Sequence, residues 1–286
     1  MNNSEIADPL FRRAVEAIDS GNIALLQEIL ESNPKIVSQR LDTPANGYFQ
    51  HPYLIWFVAD NPIRHEKLPA NIVEITRLLI KYIREYAPET FEHQINYTFG
   101  LVETGRIPRE SGVQIELLDL LMENGAQPGD AHGALANGNI EAAKYIIAKS
   151  GKITLTAAVS LERKDDVKRL LPNASKEDKQ IALMAAAFMG KSDFISQLIQ
   201  SGVDVNAYIN KGFHSHASPL HQAVYSGSLE SVKLLVDAGA DLNATDKIYD
   251  GTPWGWAEYM GREEKDEAMK MKYKEIENYL SAKQNH

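Results

Sequence analysis

The stretch Ser218-Pro219-Leu220-His221-Gln222-Ala223, running on through Gly227 to Gly239-Ala240-Asp241-Leu242-Asn243, reads as one helix-turn-helix unit. Ser218 is placed to cap the first helix, because its hydroxyl can serve an orphan backbone N–H of the first turn. Pro219 then falls at the first helical position, where a missing N–H costs nothing. Leu220 and Ala223 face inward. Gly227 ends the helix in the left-handed conformation that a side chain resists. Leu229, Val232, Leu235 and Val236 form the apolar stripe of a second helix. Gly239 ends that helix, and Asp241-Leu242-Asn243 leads into the next connection.

The unit recurs. Thr252-Pro253-Trp254-Gly255-Trp256-Ala257 restarts it, with 34 positions from Pro219 to Pro253. Upstream, Ala182-Leu183-Met184-Ala185-Ala186, Gly190, Ile195, Leu198-Ile199 and Gly202-Val203-Asp204-Val205-Asn206 repeat the pattern at a spacing of 37, from Gly190 to Gly227. The extra residues fall in Tyr208–His216, a lengthened finger. Ala158 to Val167 keeps the nine-residue step of Ala223 to Val232, and Ala134, Gly138, Ala143 and Ile146-Ile147 continue the series. Ala17, Gly21, Leu26 and Ile29-Leu30 make a first unit. Two divergent units lie between, one from Tyr53-Leu54-Ile55-Trp56 to Leu78-Leu79, the other from Tyr97-Thr98-Phe99-Gly100 to Leu120-Leu121. Both carry inserts, at Pro62–Pro69 and Gly105–Gly112.

Ser218-Pro219-Leu220-His221 stands where ankyrin repeats carry Thr-Pro-Leu-His, and their period is about 33 residues. The chain thus resembles the ankyrin repeat family, most clearly over residues 178–262 and more loosely over 8–177. The segments Gly212–Val224 and Gly251–Glu258 look like those of free-standing bacterial ankyrin proteins without an assigned reaction. The resemblance implies an all-α solenoid of about eight helix-turn-helix units with short β-hairpin fingers, a single domain spanning residues 1–286. It also implies a concave face, built from fingers and first helices, that binds other proteins. Glu263–Lys283 is expected to be a charged helix closing the stack. At the front, Arg12, Arg13 and Glu16 face water while Leu10, Ala14 and Ala17 face in.

Bulk properties narrow the function. The formal net charge is −9 and the isoelectric point about 5.4. That opposes binding to a phosphate backbone, which needs Lys and Arg, and favours a basic protein partner. The simpler reading of the charge is solubility. There are no cysteines, which removes disulfides and thiolate chemistry. No apolar run reaches the roughly 18 residues of a membrane span, and Met1-Asn2-Asn3-Ser4-Glu5 lacks the features of a secretory leader. A cytoplasmic monomer is expected, with no nucleic-acid, membrane or cofactor partner.

Enzyme signals are poor. Ser-Gly pairs fall at turns rather than in a nucleophile elbow, and no Gly-rich phosphate loop is present. His214, Ser215, His216 and His221 form the one histidine cluster. In an extended finger, His214 and His216 would share a face, and with a third ligand could bind zinc. His221 instead occupies the family's structural histidine position. No catalytic or metal-ligating residue is therefore assigned, although a metal- or small-ligand-sensing finger over residues 208–221 is the alternative to protein binding. The residues before each first-helix glycine point toward the family's concave face, namely Asp19-Ser20, Ala136-Asn137, Phe188-Met189, Tyr225-Ser226 and Tyr259-Met260, of which the last three pairs carry the aromatic residues and methionines. Together with Tyr208, Phe213, His214, His216 and Trp256 those three pairs make the candidate partner surface: exposed aromatics are common binding hot spots. The competing reading is that a neighbouring finger folds over them. Trp254 replaces the consensus leucine and is expected in the core.

Overall fold

The period-three-to-four spacing of apolar residues is realised as pairs of antiparallel helices. The computed structural model describes residues 5–42 and 49–284; Met1–Ser4, read above for a leader, lie outside them. Contacts divide the chain into two compact units, residues 1–149 and 150–286. Among the described residues the elements are helical with no β-strand, and no helix is long and apolar enough to cross a membrane.

The first unit opens with α1 (Pro9–Asp19), whose first turn is capped by Asp8 Oδ1 accepting from the amides of Leu10 and Phe11. Ala14 and Ala17 are buried and Arg13 and Glu16 exposed, as the spacing predicts. Its partner is α2 (Ile23–Ser32). The second pair begins with a 3-10 helix at Leu54–Ala59, every residue of which is buried, and continues with α3 (Ile72–Tyr86). The third is α4 (Phe91–Thr104) with α6 (Gln114–Glu123), and its insert carries the short α5 (Arg106–Glu110). The fourth is α7 (His132–Ala136) with α8 (Ile140–Ser150).

The second unit contains α9 (Leu155–Ser160) with α10 (Lys164–Leu170), α11 (Lys176–Phe188) with α12 (Ser192–Gln200), α13 (Pro219–Tyr225) with α14 (Leu229–Asp237), and α15 (Pro253–Glu263) with α16 (Glu267–Gln284). One continuous core runs through it, from Ala158 and Val167 through Ile195, Leu220, Val232 and Ala257 to Ile276 and Leu280. Each fully buried aliphatic side chain there contributes about 1.5–3 kcal/mol. Gly227 turns α13 into α14 at φ +68°. In the α9–α10 turn the same left-handed position is held by Glu162 at φ +55°.

Two expectations need correction. The closing helix starts at Glu267 rather than Glu263: Glu263 ends α15, Glu264 is extended, and Asp266 Oδ1 caps the new helix through the amide of Met269 at 2.9 Å. The fingers are turns rather than β-hairpins. In the finger over 203–217, Gly212, Phe213 and His214 all adopt positive φ, which no strand can accommodate. Side chains replace the ladder between successive fingers. Asn206 Nδ2 donates to Gly239 O at 3.1 Å, and Asn206 Oδ1 accepts from the Asp241 amide at 2.8 Å. One backbone bond joins the fingers as well, the Lys247 amide donating to His216 O at 2.8 Å.

Candidate functional site

The site lies where α13, α15 and the two fingers of the second unit converge. Its frame is set by His221, which is fully buried. His221 Nε2 donates to Gly251 O at 2.9 Å, which makes Nδ1 the acceptor, and Ser218 Oγ donates to it at 2.8 Å. One histidine thereby ties the cap of α13 to the following finger. Burial lowers its pKa, opposed by the bond to Gly251 and by Asp246.

That following finger is organised by Asp246, also fully buried. Its Oδ1 accepts from the amides of Ile248 (2.9 Å) and Tyr249 (2.7 Å), and its Oδ2 from Gly251 N (3.0 Å) and the Trp256 indole (3.0 Å). Burial alone would raise the carboxyl's pKa, but these donors outweigh it and hold Asp246 below the usual carboxylate range. Trp256 is thereby fixed, with its ring edge-on to His221 at 5.0 Å. Gly251 has no room for a side chain. A Cβ there would come within 3.0 Å of both Asp246 Oδ2 and Trp256 Cδ1.

The aromatic residues assemble on this frame. Phe188 and Tyr225 stack at 5.1 Å with an interplanar angle of 11°. The His214 ring lies 4.6 Å from Tyr225, 5.4 Å from Phe188 and 6.0 Å from Trp256. A cavity of about 620 Å³ opens among His214, His216, Tyr225, Tyr249, Gly251, Gly255, Trp256, Tyr259 and Met260. Tyr225, Tyr249 and Tyr259 are 36%, 77% and 56% exposed, so the rings are open to solvent rather than covered by a finger.

The structure therefore brings together His214, His216, Tyr225, Trp256 and Tyr259, with Phe188 at the edge. Phe213 is buried beneath Phe188 at 5.5 Å and supports the surface from below. Tyr208 is turned away, donating to Thr245 O at 2.7 Å with Lys247 Nζ 4.4 Å above its ring. Met189 is half-buried and outside the cavity lining. His214 and His216 do share a face, their centroids 5.8 Å apart, but through left-handed backbone rather than strand alternation. Both nitrogens of His221, the third ring a zinc site would need, are already engaged. Glu258 is exposed and lies 4.0 Å from Arg262. Trp254 is half-buried against the core, its indole donating to Ser281 Oγ at 2.8 Å. Sequence reading missed Tyr249 and Asp246. The one available signal was the Asp-rich, Gly-terminated turn Asp246–Gly251, a pattern in which an aspartate caps its own loop.

The first unit treats the corresponding position differently. Asp19, at the end of α1, is bound by two residues of the insert after Leu54–Ala59. Arg64 Nη2 donates to Asp19 Oδ1 at 2.8 Å, and His65 Nε2 is 3.0 Å from Asp19 Oδ2. Asp60 shapes the insert, accepting from the amides of Arg64, His65 and Glu66. Trp56 is buried and stacks on Tyr97 at 3.8 Å. A more polar cavity of about 610 Å³ lies between Asp60, Asn96, Tyr97 and Arg106.

Comparison with known proteins agrees with this repeat structure. The family model "Ankyrin repeats (3 copies)" matches residues 155–246, which span α9 to α14 and reach Asp246. The chain is also 28% identical over 152 residues to the ankyrin repeat domain-containing protein SAT10 of Stachybotrys chartarum. That alignment covers 40% of this chain and 8% of the relative, so the chain spans a small fraction of the curated relative's length.

Proposed function

We propose that this ankyrin repeat protein, with family-matched repeats over residues 155–246, binds another protein through the open aromatic face of its second unit. Ankyrin repeats generally mediate protein–protein interaction. The observation that carries the reading is the exposure of Tyr225, Tyr249 and Tyr259 around a common cavity. Contiguous exposed apolar surface costs solubility unless it is used. Its supports are packed and hydrogen-bonded: Phe213 lies beneath Phe188, and Asp246 and His221 fix Trp256 and the finger. A preordered surface of this kind binds with little shape change.

The test is an affinity pull-down from the source cell, comparing wild type with the triple variant Phe188→Ser, Tyr225→Ser, Tyr259→Ser. A prey lost with the variant, at unchanged circular dichroism, supports the reading. Retention of every prey by the variant refutes it. A small-ligand role is the second reading, favoured by the cavity's volume, which lies within the roughly 300–1,000 Å³ of ordinary ligand sites.

A further inference from the structure

Phe213 and His214 are consecutive non-glycine residues in the left-handed region, at φ +45° and +47°. Such positions cost about 1–3 kcal/mol each and persist where the surroundings impose them. Here the strained turn seats the His214 ring between Phe188, Tyr225 and Trp256, at the cavity wall. His214 Nδ1 is buried with no protein hydrogen-bond partner within normal reach, and Gln222 Oε1 is in the same condition. Gln222 Nε2 donates to His214 O at 3.1 Å, which fixes the orientation of the amide. Both orphaned atoms are best served when Nδ1 carries the proton toward Oε1, which leaves Nε2 as a lone-pair acceptor. Burial lowers the His214 pKa, His216 adds to that, and Gln222 opposes it, so the ring is neutral at neutral pH. Among the described residues the His216 imidazole also makes no hydrogen bond.

We infer that the cavity receives an arginine side chain of the partner protein, its guanidinium stacked among Tyr225, Tyr249, Trp256 and Tyr259 and donating to His214. The inference rests on the reading of this face as protein-binding. Aromatic faces attract cations, most strongly when desolvated. No Lys or Arg lines the cavity, so a cation meets no repulsion from the lining. Around it, residues 246–267 carry seven Asp and Glu against three Lys and Arg. Of those three cations, Lys247 faces Tyr208, outside the lining, and Arg262 lies 5.3 Å over the lining ring of Tyr259 with Glu263 accepting from its Nε at 2.9 Å. A quaternary ammonium has no N–H and would leave the imidazole acceptor unmet, whereas a planar guanidinium can stack and donate together. An anion finds no cationic partner among the lining residues.

Acid should oppose the guanidinium. The titratable and charged groups near His214 are His216 in its own finger, Tyr225 and His221 on α13, Tyr259, Glu258 and Arg262 on α15, and Asp246, Lys247 and Tyr249 in the next finger. Protonating His214 converts its acceptor into a donor and adds a like charge.

The test uses the full chain and a short capped peptide, Gly-Gly-Arg-Gly-Gly, read by the NMR resonance of the Trp256 indole. Peptides with citrulline, lysine or glutamate in place of arginine, and tetramethylammonium, serve as comparisons. The arginine peptide should bind about fivefold or more tightly than the neutral citrulline peptide, the ratio one cation–π contact of about 1 kcal/mol gives. Binding should weaken as pH falls below the ordinary histidine value of about 6.5 and the lowered His214 pKa is passed. Tyr249→Ala and Tyr259→Ala, both at exposed rings, should each lower it severalfold without changing the fold. Equal binding of citrulline, preference for glutamate or tetramethylammonium, or no saturable shift with any probe overturns the assignment. If the pull-down still loses its prey with the triple variant, only the arginine assignment fails and the binding face stands.

Discussion

The same repeat position has opposite fates in the two units. At the end of α1, Asp19 is covered, held by Arg64 and His65 of an insert that folds back onto it. At the end of α13 and within α15, Tyr225 and Tyr259 are open, and the finger beside them forms a cavity wall instead of a lid. The chemistry explains the difference. The Asp19 carboxylate beside the buried Arg64 guanidinium is closed by charge-assisted bonds, while Tyr225 and Tyr259 remain exposed, with Arg262 over only the Tyr259 ring. A face that is open only where its rings are aromatic is one on which a partner would find hot-spot residues.

The comparison can be broken first at its covered end. Arg64 is almost wholly buried between Asp19 and Asp60. Arg64→Met leaves both carboxylates without their cation and should cost about 3–5 kcal/mol. Urea denaturation would read the loss, and hydrogen exchange should place it in the first unit. At the open end, Asp246→Ala removes one acceptor from four donors and should cost about 2–4 kcal/mol, with loss of prey binding as the finger releases Trp256. Gly251→Ala is milder, about 1–3 kcal/mol, since the new methyl overpacks Asp246 and Trp256; thermal unfolding checks it.

A pH contrast sharpens the comparison further. His214 and His221 have lowered pKa values in the folded chain. The unfolded chain binds more protons there, so their region loses stability as pH falls below the ordinary histidine value of about 6.5. Glu103, in the first unit, has a raised pKa, chiefly from burial. Its contribution is present below the ordinary value of about 4.3 and is lost as pH rises through the folded value. Between pH 7 and 5, hydrogen exchange corrected for its intrinsic pH dependence should show protection falling around His214 and rising around Glu103. Parallel slopes would show that other groups dominate. The smallest stability effect belongs to Tyr259→Ala, within about 0.5 kcal/mol because the ring is surface-exposed, with prey binding still reduced.

The regular repeats were legible because their punctuation is chemical. Ser218-Pro219 starts a helix, Gly190 and Gly227 end helices, and the ring positions of Tyr225 and Tyr259 follow from the register. The 3-10 form of Leu54–Ala59 was not legible in the sequence. Phe213 read as surface because nothing in the sequence announces a left-handed phenylalanine; the backbone there turns its ring under Phe188. Tyr249 stayed hidden because its place depends on Asp246 bonding across a loop to Trp256, a contact that no periodic pattern encodes. Charge runs misplaced the start of the last helix, since Glu263–Glu267 is equally acidic on both sides of the break at Glu264.

The most direct measurement replaces Tyr259 with a photoreactive benzoylphenylalanine in the source cell, alongside the same replacement at Glu230 on the exposed surface of α14. The account predicts a discrete protein adduct from position 259, diminished by excess wild-type chain and not by the Phe188→Ser, Tyr225→Ser, Tyr259→Ser variant, with no such adduct from position 230. The same adducts from both positions, or none from 259, would contradict it.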